Sequence, residues 1–238
     1  MGAKKRLRDE SAADDNVDLS SLSKRLPFKL SFWLRHGARK GLEIDEHGWV
    51  AVDALLSRNE FRGITVGMIR DVVTNCALCR FQLLEAQAGM EAKIRATQGH
   101  SSAQVSDEMH QQILDAASIG QGTVVHGTSV AVWLKIRHAC LKVRRINHIH
   151  FSLGMPGQGL DISGMRGSAT VAVHIDLVKA MSAGIEFVRS PNGVVLTTGD
   201  EQGIVHPRFF SHAIWLGPPV TILYAHGKDQ TPDWLETS

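Results

Sequence analysis

Three short strings in this chain bring guanidinium, imidazole and small hydroxyl groups close together. Leu34-Arg35-His36-Gly37 sets a permanent cation beside a group that exchanges protons near neutral pH. Ile94-Arg95-Ala96-Thr97-Gln98-Gly99-His100-Ser101 repeats that combination and adds amide and hydroxyl donors on a backbone that Gly99 makes adaptable. Ser163-Gly164-Met165-Arg166-Gly167 flanks an arginine with glycines, where backbone can approach a ligand closely. Guanidinium forks hold phosphate oxygens bidentately, and a histidine beside them can carry a proton. Each string also has a plainer explanation. Cations at a helix C-terminus complement the macrodipole, and an arginine on a strand edge or in a loop can serve as a solvated surface charge.

Two further segments offer ligand-facing groups. His126-Gly127-Thr128-Ser129 lies where a strand gives way to a helix, so the orphan amides of a helix start stand next to two hydroxyls; a capped turn would look the same. Asn147-His148-Ile149-His150-Phe151-Ser152 alternates polar and apolar residues, placing His148, His150 and Ser152 on one strand face, either solvated or lining a ligand. Two histidines at this spacing lack an evident third ligand, so no metal is expected. Cys76-Ala-Leu-Cys79 has no second pair to complete a zinc site, and Cys76, Cys79 and Cys140 cannot all pair as disulfides; packing is the simpler use in a reducing compartment.

The elements that must position these groups follow from periodicity. Leu22, Leu26, Leu30, Trp33 and Leu34 form the apolar stripe of a helix from Leu22 to about Ala38, with Pro27 early and Gly37 and Gly41 as stops. Asp45 to Trp49 is a turn leading into the apolar run Val50 to Leu56, and Thr65 to Thr74 is a second clear helix. Phe81 to Glu85 and Glu91 to Ala96 alternate as strands joined by a turn at Gln87-Ala88-Gly89. Three helices followed by a hairpin is the order of a winged-helix unit, assigned to 21–102 after a charged, disordered leader at 1–20. A polar stretch, 103–122, reads as linker. Beyond it, strands are expected at Thr123 to His126, His148 to Ser152, Thr170 to Ile175, Ile185 to Val188 and Val194 to Thr197, with helices at Ser129 to Ala139 and Asp176 to Ala183. Met155 to Gly167 is a glycine-rich loop, a length that in compact domains usually marks function. The second lobe is placed at 123–216 and a tail at 217–238, and the fold class is α+β.

With 43% apolar and 21% charged residues, the 238-residue chain has enough apolar material for two packed lobes. A net charge of +2 is too small to attract nucleic acid globally, so contact with it requires local clustering. No run approaches the length of a membrane span and the N-terminus lacks a secretory apolar region, so an intracellular location, cytoplasm or nucleus, is expected. Lys4-Lys5-Arg6-Leu7-Arg8 reads equally as a nuclear address or as a soluble basic tail.

In their order along the chain, these strings resemble the NAD⁺-dependent tRNA 2′-phosphotransferase family. The resemblance rests on Leu30 to Gly37, Asp45 to Val50, Ile94 to Ser101, His126 to Ser129, Asn147 to Ser152, Ile162 to Arg166, Asn192 to Thr197, and Gly203-Ile204 followed by Pro207 to Phe210. It implies a winged-helix N-lobe, a C-lobe similar to ADP-ribosyltransferases, and a catalytic set carried here by Arg35, His36, Arg95 and Arg166. It also implies an NAD-binding wall of His126, Gly127, Thr128, Ser129, His148, His150 and Ser152, with Gln98, His100 and Ser101 on the RNA side. The implied activity moves a 2′-phosphate from RNA, spliced tRNA foremost, onto NAD⁺ through a 2′-phospho-ADP-ribosylated RNA intermediate. Its products are nicotinamide, 2′-OH RNA and ADP-ribose 1″,2″-cyclic phosphate, without a metal and in a monomer. The segment Val194-Val195 is apolar where ADP-ribosyltransferases often carry a catalytic glutamate, which weighs against ordinary protein ADP-ribosylation. Two other functions share the motifs: ADP-ribosylation of nucleic-acid terminal phosphates or protein, and a non-catalytic RNA-binding module.

Overall fold

The computed structural model describes residues 19–119, 124–155, 165 and 167–236. Helix α1 (Leu19–His36) is longer than its sequence stripe and runs through Pro27. Proline removes one rung of the helix ladder, and the carbonyl left over belongs to Ser23, on the exposed side where water can take it. The chain closes over Gly37–Lys40 as a 3-10 turn and reverses at left-handed Gly41. Strand β1 (Val50–Ala51) and helix α2 (Val52–Leu56) divide the apolar run into a short bridge and a short helix. Helix α3 (Val66–Thr74) starts where Thr65 accepts from the Met68 amide. Strands β2 (Phe81–Leu84) and β3 (Lys93–Ala96) form the expected hairpin, with Gln82 opposite Arg95. β1 joins β3 on its other side, giving the order β1-β3-β2.

The second set begins with β4 (Gln111–Ile113), β5 (Val124–Thr128), helix α4 (Val130–Ile136), β6 (Leu141–Lys142) and β7 (Ile149–Leu153). It continues with β8 (Val171–Ile175), helix α5 (Leu177–Ser182) capped by Asp176, β9 (Phe187–Arg189) and β10 (Val195–Thr197). β11 (Ile204–Val205), β12 (Phe210–Trp215), β13 (Thr221–Ala225), β14 (Lys228–Asp229) and helix α6 (Asp233–Glu236) complete it. Among the described residues, nine strands form one sheet in the order β14-β13-β12-β8-β5-β7-β10-β9-β4, and β11 pairs with β6 apart from it. The mixture of helix and sheet agrees with an α+β class.

Three boundaries differ from the sequence pattern. Residues 1–18 lie outside the described residues, but α1 already begins at Leu19, inside the expected leader. The stretch 103–122, expected as a linker, contributes β4 to the sheet edge; only Ile113 of that strand is buried, so its sequence shows no alternation to read. The stretch 217–238, expected as a tail, holds β13, whose Leu223 and Tyr224 are buried beside β12. There the prolines at 218 and 219 read as a stop, whereas they only turn the chain into another strand.

Two apolar cores result, sharing no residue. One contains Leu26, Leu30, Trp33 and Leu34 of α1 with Phe61, Ile69, Phe81 and Ile94. The other centres on Trp133, Phe151, Val173 and Phe187. Polar bridges cross between them: the Asn147 amide donates to the His100 carbonyl at 2.9 Å, Asn147 Nδ2 to the Ser102 carbonyl at 2.8 Å, and Asn192 Nδ2 to the Leu78 carbonyl at 3.1 Å.

Leu34 is fully buried in the core directly before Arg35. Leu34→Ala is expected to destabilise the protein by about 2–5 kcal/mol, the range for a buried leucine cavity. Urea unfolding monitored by tryptophan fluorescence measures it.

Candidate active site

The last turn of α1 faces the segment that leaves β3. Gly99 takes φ +86°, and a Cβ on it would lie 3.2 Å from Arg35 Nε, so only glycine lets the arginine lie against this backbone. Arg35 Nε is buried with no hydrogen-bond partner. Burial, and then the charge of Arg80, pull the Arg35 guanidinium below its ordinary range, yet a group of such high intrinsic pKa remains a cation at neutral pH. The Arg35 carbonyl accepts from the Ser101 amide at 3.0 Å and from Ser101 Oγ at 3.2 Å. Since that hydroxyl has a single proton, His36 Nδ1, 3.0 Å from the same oxygen, must be the donor of their bond. Nε2 of a neutral His36 is then the free acceptor. Burial, then the charges of Arg35 and Arg39, hold His36 below its ordinary pKa.

Arg95 is fixed by its own hairpin. Its Nε donates to Gln82 Oε1 at 2.8 Å across the strand pair, one terminal nitrogen donates to the His47 carbonyl at 3.0 Å, and the guanidinium lies 4.3 Å from the Trp49 ring centroid. The Asp45-to-Trp49 turn is thereby explained: Asp45 Oδ1 accepts from the amides of His47 and Trp49 and shapes the loop whose carbonyl and indole hold Arg95. Burial lowers the Arg95 pKa, and Asp45 partly offsets it.

His100 lies within reach of both arginines' fields. Burial first, then Arg35, His110, Arg95 and His148, bring its pKa to about 4, and its Nε2 is buried without a partner. His150, on β7, is likewise brought to about 4, chiefly by burial, with Arg35 among the charges acting on it. Its Nδ1 donates to the His148 carbonyl at 3.1 Å, and its Nε2 meets the Gln98 carboxamide at 2.6 Å. The Gln98 atom in that contact is Oε1, so a neutral ring, having one N–H for two carbonyl oxygens, accepts at Nε2 only when the carboxamide presents its NH₂ instead. His148 and His110 donate to the two carboxylate oxygens of Asp107 at 3.0 and 3.2 Å, holding Asp107 well below the usual carboxylate range. One ligand atom from each of these three residues lies within 4.8 Å of the others, close enough to share an ion, but both Asp107 oxygens are taken up by imidazole N–H groups.

The structure thus brings Arg35, His36, Gln98, His100, Ser101 and His150 together, with Arg95 and His148 at the margins. His126 Nδ1 joins the His150 carbonyl at 3.0 Å. Gly127 and Thr128 lie in β5; a Cβ on Gly127 would lie 2.3 Å from Met165 Cγ, so Met165 occupies the space a side chain would need. Ser129 caps α4 without a side-chain bond, and the Val130 amide takes Thr170 Oγ1 at 3.2 Å instead. Ser152 is 1% exposed, its hydroxyl within bonding distance of the Val125 and Gly154 carbonyls. Arg166 lies outside the described residues. Sequence reasoning missed Gln82, Asp107 and His110. The first was accessible from hairpin register, which sets Gln82 opposite Arg95; the other two lie in the stretch read as linker. An open cavity of about 660 Å³ lined by Cys79, Met109, Gln111, Arg189 and Asn192 contains none of the expected site residues. The cluster around Arg35 and Arg95 is the better candidate for a phosphate, since two fixed cations act on it where that cavity has Arg189 alone.

A mixed helix-and-sheet protein with two cores, meeting at paired arginines and charge-poor histidines, has the makings of an enzyme that handles a phosphate. The model of the RNA 2′-phosphotransferase (Tpt1/KptA) family matches residues 20–199, and the chain belongs to that family. It is 42% identical over 204 residues to tRNA 2′-phosphotransferase 1 of Danio rerio, covering 85% of this chain and 90% of the relative. Against tRNA 2′-phosphotransferase 1 of Homo sapiens the identity is 37% over 203 residues, 85% of this chain and 79% of the relative. Against the tRNA 2′-phosphotransferase of Saccharomyces cerevisiae it is 35% over 176 residues, 71% and 76% respectively. No helix among the described residues is long and apolar enough to cross a membrane.

The buried rings set a pH dependence of stability. His100 and His150 resist protonation down to about 4 when folded, against an ordinary value of 6.5. Unfolded chain takes up those protons first, so stability is complete above pH 6.5 and declines as pH falls toward 4. Thermal midpoints recorded across that window are expected to fall, and His150→Gln is expected to flatten part of the decline.

Proposed function

We propose that the chain removes the 2′-phosphate from RNA, spliced tRNA above all, by transferring it to NAD⁺. The observation that carries this reading is the buried Arg35 guanidinium with an unpartnered Nε, adjoining His36 at the meeting of the two cores. A largely desolvated guanidinium whose Nε meets no acceptor among the described residues suits an anionic ligand, and a phosphate oxygen supplies what it lacks. The helix order and hairpin of residues 19–96 support a winged-helix N-lobe, and the sheet beyond supports a C-lobe like that of ADP-ribosyltransferases. The curated relatives named for tRNA support the choice of substrate.

The residues of the second lobe fit NAD⁺ as second substrate. Nicotinamide bears a positive charge, so a neutral imidazole avoids repelling it while still offering ring nitrogens to ribose hydroxyls; burial holds His150 neutral, and His126 and His148 stand beside it. NAD⁺ supplies an anomeric carbon and nicotinamide as its leaving group. In the proposed reaction a 2′-phosphate oxygen of the RNA bonds to that carbon as the C–N bond breaks. The neighbouring 2″-hydroxyl then attacks phosphorus, and the RNA 2′-oxygen departs, taking a proton. Arg35 and Arg95, with Arg166, hold the phosphate oxygens and stabilise charge as it develops. His36 Nε2, bare in the neutral tautomer, is placed to accept the 2″-hydroxyl proton and return it to the leaving RNA oxygen. Gln98 and Ser101 keep the two imidazoles in register.

Incubation with a short 2′-phosphorylated RNA is expected to release nicotinamide and ADP-ribose 1″,2″-cyclic phosphate only when NAD⁺ is present. ADP-ribose left attached to RNA as the sole product would overturn the reading. Arg35→Ala, Arg95→Ala and Arg166→Ala should each lower kcat by roughly 10² or more, with lysine restoring only part because a point charge lacks the fork. His126→Ala should raise the Kd for NAD⁺ measured by calorimetry; an unchanged value removes His126 from the wall.

A further inference from the structure

Helix α1 buries one face in the first core and leaves Arg25, Phe28 and Phe32 exposed on the other. On that open face Arg25, Phe28, Lys29, Phe32 and His36 recur at threes and fours, forming one stripe that ends at the phosphate clamp. Phe28 is 77% exposed and Phe32 43%, so neither contributes much to the core. The Phe32 ring stands edge-on to His36 with centroids 5.7 Å apart, and Lys40 Nζ lies 5.8 Å from its centroid. Lys29 turns inward to the Glu60 carbonyl and the Phe61 ring, while Arg25, Arg39 and Lys40 are exposed. Arg39 reaches back to the Ser101 carbonyl at 3.3 Å, tying the end of the stripe to the site. No aspartate or glutamate occurs between Leu19 and Lys40.

We infer that this stripe is a track for single-stranded RNA, on which the nucleotide next to the 2′-phosphorylated one stacks over Phe32 and the following one over Phe28. Arg25, Arg39 and Lys40 meet the backbone phosphates. Aromatic faces interleaved with cations are the recurrent means of holding unpaired strands, because every base has a π face and every nucleotide a charge. Phe28 and Phe32 are separated by one turn, ~6 Å along the axis, so successive bases can reach successive rings. A second copy of this chain is disfavoured as occupant, since two such faces would oppose cation to cation. The direction of the strand rests on the phosphate-clamp reading of Arg35 and His36; the affinity of the track does not.

The test is fluorescence anisotropy with a short labelled single-stranded RNA carrying no 2′-phosphate, in the absence of NAD⁺. The Phe28→Ala/Phe32→Ala variant is expected to bind at least ~10-fold more weakly, given 1–3 kcal/mol per stacked base, and Phe32→Trp to bind as tightly as the parent or better. Arg25→Ala combined with Lys40→Ala should lower the salt slope by roughly 0.7 for each phosphate that is no longer neutralised. Both phenylalanines are exposed, so thermal midpoints should stay near the parent's, and circular dichroism confirms that the helix remains. Unchanged RNA affinity in the double phenylalanine variant overturns the track; so does unchanged RNA affinity with loss of self-association in sedimentation or of binding to anionic phospholipid vesicles. Because the assay needs no turnover, weakened RNA binding with no nicotinamide release from any 2′-phosphorylated RNA would retain the track and reject the phosphotransfer reading.

Discussion

Arg35 sets the terms of the site: much of its side chain lies out of water and its Nε is buried without a hydrogen-bond partner, a costly arrangement for part of a cation. Its presence makes sense only if the surroundings cannot let it escape. Leu34 on one side is locked in the core, Gly99 lies flat against the side chain, and Ser101 clamps the backbone carbonyl with both its amide and its hydroxyl. The helix C-terminus contributes a favourable dipole, but less than full compensation. What remains is a standing demand for an anion, and the protein core meets that cost by packing α1 tightly. The same strain that would be a defect in a structural domain is a recognition device in a phosphate-handling one.

The two lobes divide the labour by charge. Guanidinium groups come from α1 and β3, whereas the second sheet brings His150, an imidazole whose burial keeps it neutral. For the proposed pair of substrates, a phosphate dianion and a cationic nicotinamide, this separation would be of use, because a uniformly positive site would repel one partner. The bridges between the cores are accordingly polar and directional: Gln98 to His150, Asn147 to His100, Asn192 to Leu78. Apolar contact would hold the lobes together without fixing an angle. Hydrogen bonds of this kind set the spacing between clamp and wall, which is the quantity that positional catalysis depends on.

Where one side of an element is buried and the other wet, the chain announced itself. The stripe of α1, the helix from Thr65, the β2–β3 alternation and the helix from Asp176 all appear in the structure within about three residues of their sequence signals. β4 and β13 did not, for opposite reasons. β4 is an edge strand with a single buried side chain, and β13 follows two prolines that look like an ending. The candidate site shows the same division. Arg35, His36, Gln98, Ser101 and His150 stand out as types and do converge, because each lies on an element whose position was legible. Asp107 and His110 were hidden in a polar stretch where only the long-range pairing of β4 with β9 gives them a place.

That long-range pairing also bears on how His148 works. Asp107 accepts from Nε2 of His148, so that nitrogen carries a proton. His150 takes the opposite tautomer when its Nδ1 donates to the His148 carbonyl and Gln98 presents its NH₂ to Nε2. Two histidines two residues apart on one strand are thereby given different chemical polarity by partners from different parts of the chain. In the proposed NAD⁺ wall, such a pair would tell donors from acceptors on a bound nucleotide although both side chains are the same residue type.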